Sequence, residues 1–252
     1  MIQVENYFAQ VPEKLQNNQK RCEKELLDRR KINNACWRNI KKELLTFFHN
    51  KCAYCETPLA LPESIDHYRP KKIYYWLAHE WTNFLPSCDY CQKAKADIFE
   101  TENPHLEVPL LADGSLDYEK CKADGKHLLS ENSPYLHPVL DDPNEHLDII
   151  LENFEKLGKK QGFIIPKTPK GEKSRDFYNL NRKNLILERR KIINEILDKI
   201  ITEREFLKKN NVPESLLDRA SIDLVMPKII ENSQNNKEYA FVWRKISVFF
   251  GN

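Results

Sequence analysis

The sequence predicts an α+β protein, mostly helical, with short strands confined to its middle. Three observations lead there. Long Lys-, Glu- and Leu-rich stretches near both ends repeat their apolar residues at helical spacing. Two C-x2-C pairs, "CAYC" at 52–55 and "CDYC" at 88–91, bracket residues 56–87. From about 101 to 147, Asp-Gly, Asn-Pro, Ser-Pro and Asp-Pro steps crowd the chain with turn signals.

In order along the chain, residues 13–48 contain no Pro or Gly and place Leu26, Leu27, Trp37, Ile40, Leu44, Leu45 and Phe48 at helical intervals, which predicts helix throughout. "ESIDHYRPK" reads as a short strand ending at Pro70, since proline cannot donate to a central ladder. "YYWLAHEW" has the apolar pattern of a short buried helix, with Tyr75, Trp76, Leu77 and Trp81 as packing residues. "CDYCQKAKADIF" opens another helix, expected to run through Asp97. "LDIILENFEKLGKKQGFIIPK" suggests a hairpin. Asn181 is the expected N-cap of a long helix carrying Leu185, Ile192, Ile196 and Ile200 on one face, and "YAFVWRKISVFF" closes the chain as an aromatic helix.

Of the 252 residues, 40% are hydrophobic and 31% charged, a globular composition with room for a sizeable core. A net charge of +2 argues against a uniform basic field, so any nucleic-acid contact must come from local clusters. No apolar run approaches the ~20 residues of a membrane span, and "MIQVENYFAQVPEK" lacks the pattern of a signal peptide. A cytoplasmic protein with no membrane contact is expected. None of the six glycines forms a phosphate-binding loop, so any use of ATP belongs to a partner.

An odd count of seven cysteines in a reducing compartment argues against a disulfide framework. Cys22, Cys36 and Cys121 are expected as buried thiols. Cys52, Cys55, Cys88 and Cys91 suit one tetrahedral structural Zn2+, because each C-x2-C turn presents two sulfurs to a single ion. Four thiolates leave no open position, so this metal would clamp the ends of the intervening segment and take no part in chemistry. That segment carries "IDHYRP": Asp66 offers a hard oxygen ligand and His67 a base near neutral pH. His79–Glu80 is not a zincin motif, because the second histidine of H-E-x-x-H is replaced by Asn83. His137, Asp141, Asp142 and His146 in "HPVLDDPNEH" are explained by turn caps.

The order C-x2-C, Asp-His-x-x-Pro, Asn in "WTNFLPS", and C-x2-C followed by a polar residue and x-x-Lys resembles the HNH endonuclease motif. More closely, "CAYCE", "IDHYRPK", "YYWLAHEWTNFLPSCDYCQKAK", "DDPNEHL" and "NLNRKNLILERR" resemble the HNH proteins of Septu and retron anti-phage systems, the PtuB family. The resemblance runs from about Lys51 to Arg190 and is strongest over 52–99. It implies a zinc-stapled ββα-metal core at 51–105, an N-terminal helical segment at 1–50, and a loop-rich, then helical, region at 106–252.

It also implies a metal-dependent nuclease that hydrolyses phosphodiesters of DNA or RNA. His67 matches the general base, Asp66 the metal-binding acid, and Asn83 the residue that braces the loop. Gln92 stands where the family has Asn or His as second ligand to Mg2+ or Mn2+; Asp97 is the alternative. Arg69, Lys71, Lys93 and Lys95 are candidate phosphate contacts. The implied partners are an ABC-type ATPase (PtuA-like) and, in the retron version, a reverse transcriptase with its msDNA. The departure at Gln92 favours a competing expectation, a catalytically inactive zinc-knuckle binding module.

Overall fold

The computed structural model describes every residue except 1–3, 5–6, 30–31, 33–39, 60–63, 152–159 and 252. Two N-terminal helices, α1 (Glu13–Arg29) and α2 (Lys41–Phe47), occupy the stretch expected as helix, with most of the intervening residues, Cys36 among them, outside the described set. Helix α1 buries Leu15, Gln19, Cys22 and Leu26, an i, i+4, i+7, i+11 stripe that faces the rest of the molecule. Cys22 is disulfide-bonded, which corrects its reading as a thiol, whereas Cys121 is a buried free thiol. No helix among the described residues is long and apolar enough to cross a membrane.

Strands β1 (Ser64–His67) and β2 (Phe84–Ser87) form a two-stranded antiparallel ribbon that pairs Asp66 with Leu85 and His67 with Phe84. Pro86 is tolerated in β2 because a two-stranded ribbon is all edge. Helix α3 (Asp89–Lys95) follows directly. Between the strands the expected helix is replaced by two single-turn 3-10 helices, Tyr75–Leu77 and Trp81–Asn83. The Glu80 carboxylate takes the Thr82 amide and hydroxyl, 3.0 and 2.9 Å away, which starts a new turn where a continuous helix would have used that amide. Of the expected packing residues, Trp76, Leu77 and Trp81 are buried and Tyr75 is half-buried against the core, with Trp81 Nε1 donating to the Tyr7 carbonyl.

Residues 96–146 are largely irregular, with short helices α4 (Lys126–Leu129) and α5 (Pro143–His146). The expected hairpin is present as β3 (Leu147–Ile149) paired with β4 (Ile164–Pro166); most of its turn lies outside the described residues. Four helices complete the chain: α6 (Pro169–Phe177), α7 (Lys183–Lys209), α8 (Glu214–Asn232) and α9 (Ala240–Gly251). Helix α7 buries Leu185, Ile196 and Ile200 as expected. Asn181 does not cap it. Its amide bridges the Ile164 backbone at the start of β4 with two 2.8 Å hydrogen bonds, and Arg182 takes the N-cap position without a side-chain cap. One contiguous buried cluster runs from Tyr7 through both ribbons to Ile246.

Candidate metal centre and active site

The four cysteines converge. Their sulfurs lie within 4.8 Å of one another and all four residues are buried. Zn–S bonds of about 2.3 Å at tetrahedral angles require sulfurs about 3.8 Å apart, and Cys55 Sγ to Cys88 Sγ measures 3.8 Å. The donor set and its spacing therefore fit zinc. Cys52 and Cys55 sit in a turn closed by Glu56 at φ 62° and pinned to β2 by the Ala53 amide on the Pro86 carbonyl, 2.9 Å away. Cys88 and Cys91 open α3. Burial pushes the Cys52 thiol up, while hydrogen bonds from the other cysteines, with Arg182 behind them, hold Cys55 well below the usual thiol range.

The knuckle is also anchored at distance. Glu56 Oε2 accepts the Phe241 amide at 2.9 Å, and the Lys51 ammonium caps the carbonyls of Asn235 and Lys237. Two buried polar side chains therefore fasten the turn that holds the metal ligands to the start of α9 and the segment before it.

Asp66 and His67 end β1 beside α3. His67 is 5% exposed, and its Nε2 lies 3.0 Å from the Ala78 carbonyl. A carbonyl only accepts, so Nε2 carries the proton and the basic lone pair is on Nδ1. Burial holds His67 down at about pKa 3, so the ring is neutral at pH 7. Asn83 fixes the loop that supplies this carbonyl. Its Oδ1 accepts the Arg69 amide at 2.7 Å, and its Nδ2 donates to the carbonyls of Arg69 and Leu77. Both limbs of the 69–78 loop are clasped by this single side chain.

Asp66 is sealed differently. Tyr54 donates its hydroxyl to Oδ2 at 2.5 Å, and the Lys95 ammonium lies 3.3 Å from the carboxylate and 2.7 Å from the His67 carbonyl. Burial raises the Asp66 pKa, against the pull of Lys95 and the Tyr54 hydrogen bond. The expectation of Lys95 as a phosphate contact is corrected here: it is 1% exposed and its charge is used inside. Arg69 is corrected likewise. It is buried, with Nε 2.8 Å from Glu131 and Nη2 on the Leu128 carbonyl. Lys93 is exposed and pairs loosely with Asp89, and Lys71 is half-buried. Gln92 is half-buried on α3. Asp97 is not on that helix: α3 ends at Lys95, Ala96 turns to φ 47°, and Asp97 is exposed beyond it.

A catalytic Mg2+ or Mn2+ does not fit this arrangement as it stands. Its one carboxylate, Asp66, already faces a cation, and among the described residues the four cysteines alone bring three or more His, Cys, Asp or Glu ligand atoms together. The "HPVLDDPNEH" cluster is structural: Asp141 accepts the His137 amide and Asp142 caps α5. Sequence reasoning missed Tyr54, Glu131 and Arg182. Arg182 lies in "NLNR", part of the segment that carries the resemblance, and its guanidinium reaches three of the four cysteine sulfurs.

These features define a mostly helical α+β protein with a buried four-cysteine centre of the zinc-binding kind beside a clasped Asp-His pair. No family model and no solved structure matches the chain. It is 34% identical over 176 residues to "Septu protein PtuB" of Bacillus mycoides, covering 63% of this chain and 52% of that protein. It is 27% identical over 187 residues to "Septu protein PtuB" of Bacillus thuringiensis, covering 72% of this chain and 56% of that one. It is also 28% identical over 170 residues to "Septu protein PtuA" of Bacillus mycoides, there covering 21% of the longer protein. The chain is similar to proteins named Septu PtuB and spans about half the length of those it matches.

Proposed function

We propose that the chain is an HNH-type nuclease subunit of a Septu-like anti-phage system, with residues 51–105 as its ββα core. The observation that carries this reading is the tautomer of His67. The Ala78 carbonyl holds Nε2–H, which leaves Nδ1 as the proton-accepting atom of the ring. Asn83 positions the loop bearing that carbonyl. In this role His67 takes a proton from water as it attacks a phosphodiester phosphorus, the bond from phosphorus to one ester oxygen breaks, and that oxygen leaves as a hydroxyl after taking a proton from solvent. Lys93 and Lys71 are the remaining candidates for phosphate contact, since Arg69 and Lys95 are committed to buried pairs. Zinc holds the core together and stays outside the chemistry.

An ABC-type ATPase (PtuA-like) is the partner that the resemblance to PtuB proteins implies, and 170 residues of this chain are themselves similar to part of a protein named PtuA. A retron reverse transcriptase with its msDNA is the alternative assembly. The test is cleavage of DNA and of RNA by the chain with the ATPase, in Mg2+, in Mn2+ and in chelator. Wild type is expected to cut and His67→Ala to be inert. Two equally inert proteins would end the nuclease reading. The competing reading, an inactive zinc-knuckle binding module, is favoured by the cation already seated on Asp66. It predicts nucleic-acid or ATPase binding that His67→Ala leaves unchanged, with no cleavage in any metal.

A further inference from the structure

The four-cysteine centre does more than join the ends of residues 56–87. Zn2+ with four thiolates is a dianion, and a buried dianion is costly unless compensating charge is close. The compensation comes from outside the knuckles. Arg182 Nη2 lies 3.3 Å from Cys55 Sγ and 3.7 Å from Cys88 Sγ, and Nη1 lies 3.5 Å from Cys91 Sγ. One planar guanidinium thus spans sulfurs from both C-x2-C pairs, a geometry that suits Arg and that a lysine point charge cannot reproduce.

The local chain is shaped for this. Asn179 turns at φ 47°, and its carbonyl accepts Arg182 Nη1 at 3.3 Å. Tyr178 stacks on Tyr54 inside the first knuckle, with ring centroids 4.3 Å apart. The Tyr90 ring, from the second knuckle, lies 5.4 Å from the guanidinium carbon. Arg182 is also the N-cap of the 27-residue α7, so this side chain leaves the backbone at the start of that helix.

We propose that Arg182 is a positioning residue of the metal centre: it neutralises the tetrathiolate and makes metal loading and docking of the start of α7 a single event. The proposal rests on the reading of the centre as a zinc site. It adds that the C-terminal helices are held by the metal as well as by their own core.

The experiment uses the full chain. Bound zinc is counted in wild type, Arg182→Lys, Arg182→Met and, as a remote control, Arg175→Met, and zinc release is then titrated with a competing chelator. About one zinc per wild-type chain is expected, with affinity lowered roughly 10–100-fold in Arg182→Met. Arg182→Lys should fall between, and Arg175→Met should match wild type. Hydrogen exchange should show residues 183–190 losing protection when wild type is stripped of zinc. Zinc-free wild type would sink the zinc reading and the proposal with it. Zinc-loaded wild type with Arg182→Met within twofold of its affinity would sink the Arg182 role alone. If Arg182→Met does not fold, Arg182→Lys with wild-type retention does the same, and unchanged protection at 183–190 overturns the coupling to α7.

Discussion

Replacing Lys95 with Met removes the ammonium while keeping most of the stem's volume. In the native protein Nζ lies 3.3 Å from Asp66, with the two side chains 1% and 7% exposed. At that distance the attraction is about 5 kcal/mol for an effective dielectric near 20, and much of it offsets the cost of desolvating the two charges. Removing one partner leaves that cost standing, about 3–5 kcal/mol. For a chain of this size each kcal/mol moves Tm by about 2–4 °C, so the midpoint should fall by roughly 6–20 °C. Without Lys95 the Asp66 carboxyl, already raised by burial, climbs further. Its native form then holds a proton that the unfolded chain has released, so the deficit should grow from pH 5 to pH 8. Urea unfolding of wild type, Lys95→Met, Asp66→Asn and the double variant measures the coupling, and the double variant should be less destabilised than the sum of the singles. A Lys95→Met protein within about 0.5 kcal/mol of wild type but weakened in nucleic-acid binding would refute the buried pair and restore Lys95 as a phosphate contact.

Other perturbations separate further contacts. Gly171→Ala would place a Cβ 2.0 Å from the His146 carbonyl oxygen, which is backbone and cannot step aside; a loss of roughly 3 kcal/mol or more is expected in urea unfolding, and a neutral result would mean α6 and α5 can separate. His137 is held at about pKa 3 by burial, with Arg69 and Lys170 adding to it. The unfolded chain therefore takes up a proton below pH 6.5 that the native one refuses, and stability should fall as pH drops from 6.5 toward 3. His137→Gln should reduce the pH 7 to pH 5 difference in urea midpoint; an equal difference would clear His137. Glu80, raised to about 7 by burial, has the opposite sign. Its native form keeps a proton between pH 4.5 and 7 that the unfolded form loses, so stability declines across that window. Glu80→Gln should be the more stable protein at pH 8, by up to roughly 3 kcal/mol, and a more stable wild type there would contradict the raised pKa.

What was legible in the sequence was local. Cys52, Cys55, Cys88 and Cys91 declare themselves because metal-ligand spacing is a property of a few consecutive residues. The 147–166 hairpin follows from two apolar runs around a basic, glycine-bearing turn, and the buried face of α7 from a periodicity of 3.6. What was hidden is how charge is spent. Arg69 and Lys95 read as phosphate contacts because a basic residue near an Asp-His pair carries no mark of burial, and their partners Glu131 and Asp66 lie 62 and 29 positions away. Arg182 escaped for the same reason, standing 127 positions from Cys55. Asn181 looked like a cap because cap propensity is local, whereas the Ile164 backbone it serves is brought to it by the hairpin.

The end of α3 sharpens the question posed by the glutamine after Cys91. With Ala96 turning the chain away, Asp97 leaves the helix that faces Asp66, and Gln92 is left as the candidate donor from that helix. Gln92 and Lys95 are three positions apart and so share a face. Lys95 brings a positive charge to that face, and Gln92, unlike a carboxylate, brings no negative charge to balance a divalent ion. The departure from the Asn or His implied by resemblance and the cation on Asp66 therefore bear on one charge balance. As the helix stands, that balance is met by an ammonium, and the metal dependence of cleavage is the measurement on which the two functional readings part.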